Sequence, residues 1–503
     1  MIHLFKEQPK AFYLIFMLEF WERFGFYAVN GILAYYFTKV HGFDDTQAFT
    51  IFGAFSALVY GLVSVGGYIG DKLLGTKRTI FLGLIVLCTG YLSLSVVSEN
   101  QVFLALGIIA VGNGLFKANP SSLLAKCYEP QDPRLHGAFT LYYMAINVGS
   151  IFALILGPLF MDKLGWQSVF FISFMGLFSA ILNFLYQRKS IEHISRGPDS
   201  APLDYNKLYA VVVGCIVTSY LCRYLLSHVE SAKKLLSIII FGVLFLFFKY
   251  LFNERGLAKT KMWVALLLML EGVIFFTLYQ QMPTSINFFA INHVRPTILG
   301  LTINPQSFQI FNPIWIMILS PFVAEWYRRQ QRYNQELSTP KKFAIGMCLC
   351  GISFVCLYFP LFFADQAFKV SSLWLVLSYF FQSFGELLVS ALGVAMVAEL
   401  VPASISGFIM GMWFLTSAAA GFIGGMVASK TAVPANLHVG YESLETYCTV
   451  FLKIGLVTLA IAVVMWFIAG YVDEIMHRHS KKEEYAGEEL PLNLENTQPE
   501  LQY

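Results

Sequence analysis

Apolar stretches of about 20 residues, the length a helix needs to cross a bilayer, recur along this chain with short polar breaks between them. They predict spanning helices at roughly 12 to 38, 47 to 71, 78 to 97, 102 to 124, 137 to 161 and 167 to 187, a group of six. Two plainer spans follow at roughly 206 to 226 and 235 to 253. Six more lie at about 261 to 290, 306 to 327, 342 to 362, 371 to 399, 405 to 429 and 446 to 472. The pattern predicts an all-α integral membrane protein of about 14 transmembrane helices, two six-helix bundles with an inserted helix pair. The expected division is an N-terminal bundle over 1–190, an inserted segment over 191–258, a C-terminal bundle over 259–475 and a tail over 476–503. That tail is polar and Glu-rich with little to bury, so it is expected to be disordered.

Composition sharpens the class. Hydrophobic residues make up 57% of the 503 positions and charged residues only 13%, against roughly 25% charged in soluble domains. A net charge of +3, with no Lys/Arg-rich run interleaved with aromatics, leaves no footprint for nucleic acid. The eight cysteines fall almost all in apolar stretches, with no CxxC pair and no regular spacing with histidine. They read as small buried hydrophobes, and no metal or other cofactor is expected. The apolar run after the polar start carries Glu19, Glu22 and Arg23, which a signal-peptide core would not tolerate, so the N-terminus is expected to be retained. With both termini inside, roughly 23 Lys/Arg fall on the cytoplasmic side and about 8 outside, the bias of cytoplasmic loops.

Candidate chemistry lies in the charges within the spans. The first helix of the first half holds Glu19-Phe-Trp-Glu22-Arg23, and the i, i+4 spacing lets Glu19 reach Arg23. The fourth helix adds Lys117, and the first and fourth helices of the second half add Glu271 and Glu386, the corresponding positions of a parallel repeat. At about 3 kcal/mol for each ionised group left unpaired at mid-bilayer, six would cost about 18 kcal/mol. They must be paired, hydrated or neutral, either as an ion-pair network locking helices together or around an aqueous cavity. Their distribution over both halves favours the cavity. Lys117 facing Glu386 across it would suit a zwitterion, and carboxylates competing for basic partners are what proton coupling needs. Asn147 and Asn312 serve either as ligands or as interhelical hydrogen-bonding glue; Tyr27, Tyr60, Tyr142 and Trp413 serve either as pocket lining or as packing. Pro283 and Pro313 are candidate kinks.

Glu19-x-x-Glu22-Arg23-Phe-x-x-Tyr27 is similar to the ExxERFxYY motif of the proton-dependent oligopeptide transporters, a branch of the major facilitator superfamily. The stretch from Phe139 to Ser150, with Asn147 and Gly149, resembles the family's helix 5 signature, and Gly70-Asp71-Lys-Leu-Leu-Gly75-Thr-Lys77-Arg78 resembles the superfamily's loop motif. The resemblance covers nearly the whole chain, to about residue 475, and an inserted helix pair is common in bacterial members. It implies a proton-linked cluster of Glu19, Glu22, Arg23 and Lys117, with Glu271 as a protonatable partner near the extracellular gate. It implies that Glu386 and Asn312 hold a peptide's amino end, and that Lys117, Tyr27 and Tyr60 hold its carboxylate. Asn147 would bond the peptide backbone, with Trp413 and Ser417 on the opposite wall.

Two positions depart from the pattern. Phe26-Tyr27 stands where many members have two tyrosines, and Asn30, a pocket candidate itself, stands where many have a basic residue. The usual ion pair from that position to the helix 7 carboxylate cannot form here. The expected function is proton-coupled import of dipeptides and tripeptides by alternating access, in the bacterial inner membrane, by a functional monomer surrounded by lipid. The alternative is a proton-coupled carrier of another small solute, such as nitrate or a peptide-like compound. A membrane-embedded hydrolase lacks support, since no HExxH or GxSxG is present. A peptide-sensing receptor would need a signalling domain for which the chain has no room.

Overall fold

The structure is a computed structural model that describes residues 5–96, 101–129, 132–194, 197–333, 337–400, 406–433 and 439–488. The side chains of 390–400, 406–407 and 475–488 are not among those described. Twelve helices among the described residues are long and apolar enough to cross a membrane. Two more complete the set: Lys10–Lys39, whose apolar run carries Glu19, Glu22 and Arg23, and Leu373–Leu400, apolar over Leu373–Val389. In chain order the fourteen are α1 (Lys10–Lys39), α2 (Asp45–Leu73), α3 (Thr76–Val96), α4 (Val102–Lys126), α5 (Arg134–Leu164), α6 (Trp166–Ile191), α7 (Tyr205–Ser227), α8 (Val229–Asn253), α9 (Gly256–Tyr279), α10 (Pro305–Arg332), α11 (Thr339–Phe363), α12 (Leu373–Leu400), α13 (Ser406–Ala428) and α14 (Tyr441–Glu488).

Local chemistry sets where these helices begin and break. Asp44 accepts from the Gln47 amide at 2.8 Å while the Gln47 side chain accepts from the Asp44 amide at 3.3 Å, a reciprocal cap that starts α2 five residues after α1 ends. Helix α4 breaks at Ala118, just past Lys117, and resumes with Pro120 in its first turn. Past Tyr279, α9 gives way to a turn containing Pro283, then resumes as a short helix over Ser285–His293. The candidate kink at Pro283 is thus a full interruption, whereas Pro313 sits in the opening turn of the regular helix of α10, after a 3-10 start, where its missing N–H costs little. Helix α14 runs past 476, to Glu488. Lys, Glu and Ala favour helix, and no proline interrupts before Pro491; residues 489–503 lie outside the described set.

The first six helices pack on one another, α1 against α5 and α6 and α3 against α4 and α6. In the last six, α11 packs against α12 and α14, α9 against α13, and α10 against α12. The two bundles meet where α2 lies along α13 and α5 lies along α10. The inserted helices are peripheral: only 28% of the apolar window of α7 and 11% of that of α8 is buried, and α7 rests on α4. Small residues let helices touch. A Cβ placed on Gly53 would stand 2.8 Å from the Gly421 carbonyl oxygen across the bundle interface, and one on Gly425 would stand 2.5 Å from that of Phe49.

Candidate substrate and proton site

Helix α1 places Glu19, Glu22 and Arg23 on successive turns facing the bundle interior, all less than 5% exposed. Arg23 Nε lies 3.3 Å from Glu19 Oε1, and the same guanidinium pairs directly with Glu22. The Tyr142 hydroxyl on α5 donates to Glu19 Oε2 at 2.6 Å. One guanidinium is therefore shared between two carboxylates, and Glu22 Oε1 is buried without a hydrogen-bond partner. Burying three charges with one cation among them leaves a net negative group that a nearby cation or a proton must offset.

Lys117 approaches this cluster from the end of the first segment of α4, where the helix carbonyls favour a cation. Its ammonium lies 3.7 Å from the centre of the Tyr60 ring and 5.6 Å from that of Phe26, and the Arg23 guanidinium lies 5.3 Å from the same Phe26 ring. Among the described residues it makes no ion pair. Lys117 thus stands behind the aromatic wall of the cavity rather than in it.

Beyond that wall, between the bundles, lies a cavity of about 110 Å³, lined by residues of α1, α2, α5, α9, α10 and α12. Tyr27, Asn30, Tyr60, Asn147, Asn312 and Glu386 all line it. Asn312 Nδ2 donates to Glu386 Oε2 at 2.8 Å and to Ser383 Oγ at 3.1 Å. Glu386 is the only carboxylate among the described lining residues, and it accepts from the neutral Asn312 amide. Asn147 donates to the Tyr143 carbonyl of its own helix at 2.8 Å.

Three residues singled out from the sequence lie elsewhere. Glu271 does not line the cavity, whereas Gln280, nine residues and about 13 Å further along α9 and about half a turn round it, does. Glu271 is 3% exposed, and its Oε2 lacks a hydrogen-bond partner among the described residues. Trp413 and Ser417 are buried but do not line the cavity. Trp413 packs against α9, 3.2 Å from where a Cβ on Gly272 would stand and 6.1 Å from the Phe276 ring.

The sequence reading missed Gln280, Ser56 and Gln309, which line the cavity with Asn30. Gln280 donates to Ser56 Oγ at 2.6 Å across the interface, and Asn287 and Gln309 both donate to the Gly31 carbonyl, at 3.1 and 3.0 Å. Nearby, Asn304 donates to Asp162 at 2.6 Å and the Phe49 and Phe288 rings lie 4.7 Å apart. These bonds close the interface at one end of the cavity with amides, where the resemblance led one to expect charges. Their signal was present in Tyr279-Gln280-Gln281, two amides ending an apolar helix, since an amide buried in lipid needs a partner as a charge does.

The profile of the PTR2 family, the POT family, matches residues 77–444. Over 473 residues the chain is 49% identical to the dipeptide and tripeptide permease B of Salmonella typhimurium, covering 94% of this chain and 97% of that protein. Over 483 residues it is 48% identical to the permease of the same name from Yersinia enterocolitica, covering 95% and 98%. Among solved structures, it resembles a bacterial homologue of the human drug peptide transporters PepT1 and PepT2, with TM-score 0.82, 34% identity, and 94% and 100% of the two chains covered. The peptide transporter POT in complex with alafosfalin matches with TM-score 0.81 and 28% identity, covering 93% and 96%. The fold, the charged motif on α1 and these matches agree, and the chain belongs to the POT family.

Proposed function

We propose that this protein imports dipeptides and tripeptides together with protons by alternating access of one cavity to the two sides of the bacterial inner membrane. The observation that carries this reading is the cavity itself: a lone carboxylate, Glu386, faces it from the second bundle, and an acidic cluster sharing one arginine lies behind the opposite, aromatic wall. A peptide's ammonium supplies the cation Glu386 lacks, and its carboxylate turns towards Lys117 and the hydroxyls of Tyr27 and Tyr60. A plain anion such as nitrate would be repelled by Glu386, which ranks the rival reading second. The relatives named as dipeptide and tripeptide permeases support the same substrate class.

Coupling follows from the sharing of Arg23. When a proton neutralises Glu22 or Glu19, the guanidinium turns to the remaining carboxylate and the attraction between α1, α4 and α5 changes. With both termini in the cytoplasm, as the Lys/Arg bias requires, the amide-sealed end faces outward, so this conformation presents the cavity to the cytoplasm. The bundles that rock are 1–190 and 259–475, with 191–258 carried along. The working unit is a monomer, it uses no cofactor besides the proton, and it is not an enzyme.

The deciding experiment is acidification of the lumen of proteoliposomes under an inside-negative potassium–valinomycin potential on adding dialanine or trialanine. Peptide-dependent acidification is expected. Its absence over a broad peptide panel, with binding of another solute, would overturn the substrate and leave the fold standing.

A further inference from the structure

Away from the transport cavity, a cleft of about 670 Å³ opens between α3, α6 and α7. At one end stand four basic side chains, Lys77, Arg78, Arg188 and Lys189, with one carboxylate, Glu192, among them. Lys77 and Arg78 make no ion pair among the described residues. The Lys77 ammonium donates to the Ile191 carbonyl at 3.3 Å, and the Arg78 guanidinium donates to the Leu74, Pro198 and Ala201 carbonyls at 3.2, 3.3 and 2.7 Å. Asp199 is close by, but its oxygens accept from the Thr76 and Lys77 amides at 2.9 and 3.3 Å, capping α3. Arg188 and Lys189 are exposed and make no side-chain bond among the described residues.

The other end is apolar. Phe81, Leu82 and Ile85 follow the cations along α3, facing Leu208 and Val212 of α7. From Leu82, Ile85 and Val212 the surface continues into a second, apolar cleft of about 230 Å³ that includes Leu104, Ile108 and Ile216. At the charged level, Tyr186, Tyr205 and Tyr209 are 88%, 77% and 73% exposed, the position of aromatic residues at a membrane–water interface. A positive head site at the interface with an apolar track running into the bilayer has the charge and shape of one class of molecule.

We propose that this cleft binds an anionic glycerophospholipid, its phosphate on Arg188 and Lys189 with Lys77 and Arg78 behind, and one acyl chain along α3 and α7. Basic pockets between membrane helices recognise such headgroups, and the bound lipid fills the seam between the N-terminal bundle and the inserted pair. The test is native mass spectrometry of the delipidated full-length protein titrated with dioleoylphosphatidylglycerol, dioleoylphosphatidylcholine or glycerol-3-phosphate. Phosphatidylglycerol is expected to bind in preference to the other two. The Arg188→Gln/Lys189→Gln double variant is expected to weaken it about thirtyfold, the equivalent of about 2 kcal/mol for two basic residues, and Arg188→Lys/Lys189→Arg to retain it. Val212→Trp, which blocks the track and leaves the cations, is also expected to weaken it. Equal binding of the two lipids, or no loss in the double glutamine variant, would overturn the site. Tight glycerol-3-phosphate binding, or no effect of Val212→Trp, would reduce it to an anion site without a lipid.

Discussion

Glu386 and Glu22 are both buried acids in apolar helices, but their surroundings differ. Glu386 accepts from Asn312, which also donates to Ser383, and in the function proposed above it meets the ammonium of the peptide. Glu386→Gln is expected to weaken dialanine binding at least tenfold, because a charge-assisted hydrogen bond contributes about 1.5 to 3 kcal/mol. N-acetyldialanine, which lacks the ammonium, should bind both forms equally in a competition assay; equal loss for both peptides would remove the orientation argument. Glu22 already holds part of Arg23. Glu22→Gln is expected to abolish uptake driven by a proton gradient while sparing exchange of labelled for unlabelled peptide, and driven uptake at the wild-type rate would refute the coupling role.

At the scale of elements, the backbone contacts make a sharper prediction than the side chains. Helices α2 and α4 meet so closely at Gly66 that a Cβ there would overlap the Gly114 carbonyl oxygen, whereas one on Gly67 would meet Ala118 Cβ at an ordinary 3.6 Å. Gly66→Ala must therefore separate two helices, while Gly67→Ala changes little. We expect the first to lower the melting temperature in detergent by several degrees, a cost of about 1 to 3 kcal/mol for overpacking, and the second to leave it within a degree or two. The same logic applies to the bundle interface. Gly53→Val places side-chain atoms against Gly421 and Gly425 and is expected to open the amide-sealed end, read as increased labelling of a cysteine placed at Asn287.

For the whole molecule, a gradient must be worth what accumulation requires. One proton moving through 100 mV supplies about 2.3 kcal/mol, enough for about fiftyfold accumulation of a neutral zwitterion. Each further unit of pH, acid outside, adds about 1.4 kcal/mol. Steady-state accumulation of dialanine in proteoliposomes should accordingly rise about tenfold per unit, and a slope near zero would show that protons do not drive it.

Much of this molecule was legible in its sequence because the bilayer imposes a one-dimensional rule. A spanning helix must bond its own backbone and present about 20 apolar residues, so the fourteen helices of the structure fall near the positions that hydropathy marks. A charge inside such a run is conspicuous for the same reason, which is how Glu19, Glu22, Arg23, Lys117 and Glu386 stood out. What a one-dimensional pattern cannot carry is which way a residue turns on its helix relative to a partner distant in the chain. That rotation decided that Gln280 and not Glu271 faces Ser56, that Trp413 packs on α9 instead of lining the cavity, and that Lys117 stands behind Tyr60. The seal between the bundles was hidden for a second reason. It is built from amides and bare glycine backbone, whose cost in lipid disappears once they are paired across helices, and only the folded chain brings Gly31 to Asn287 and Gln309.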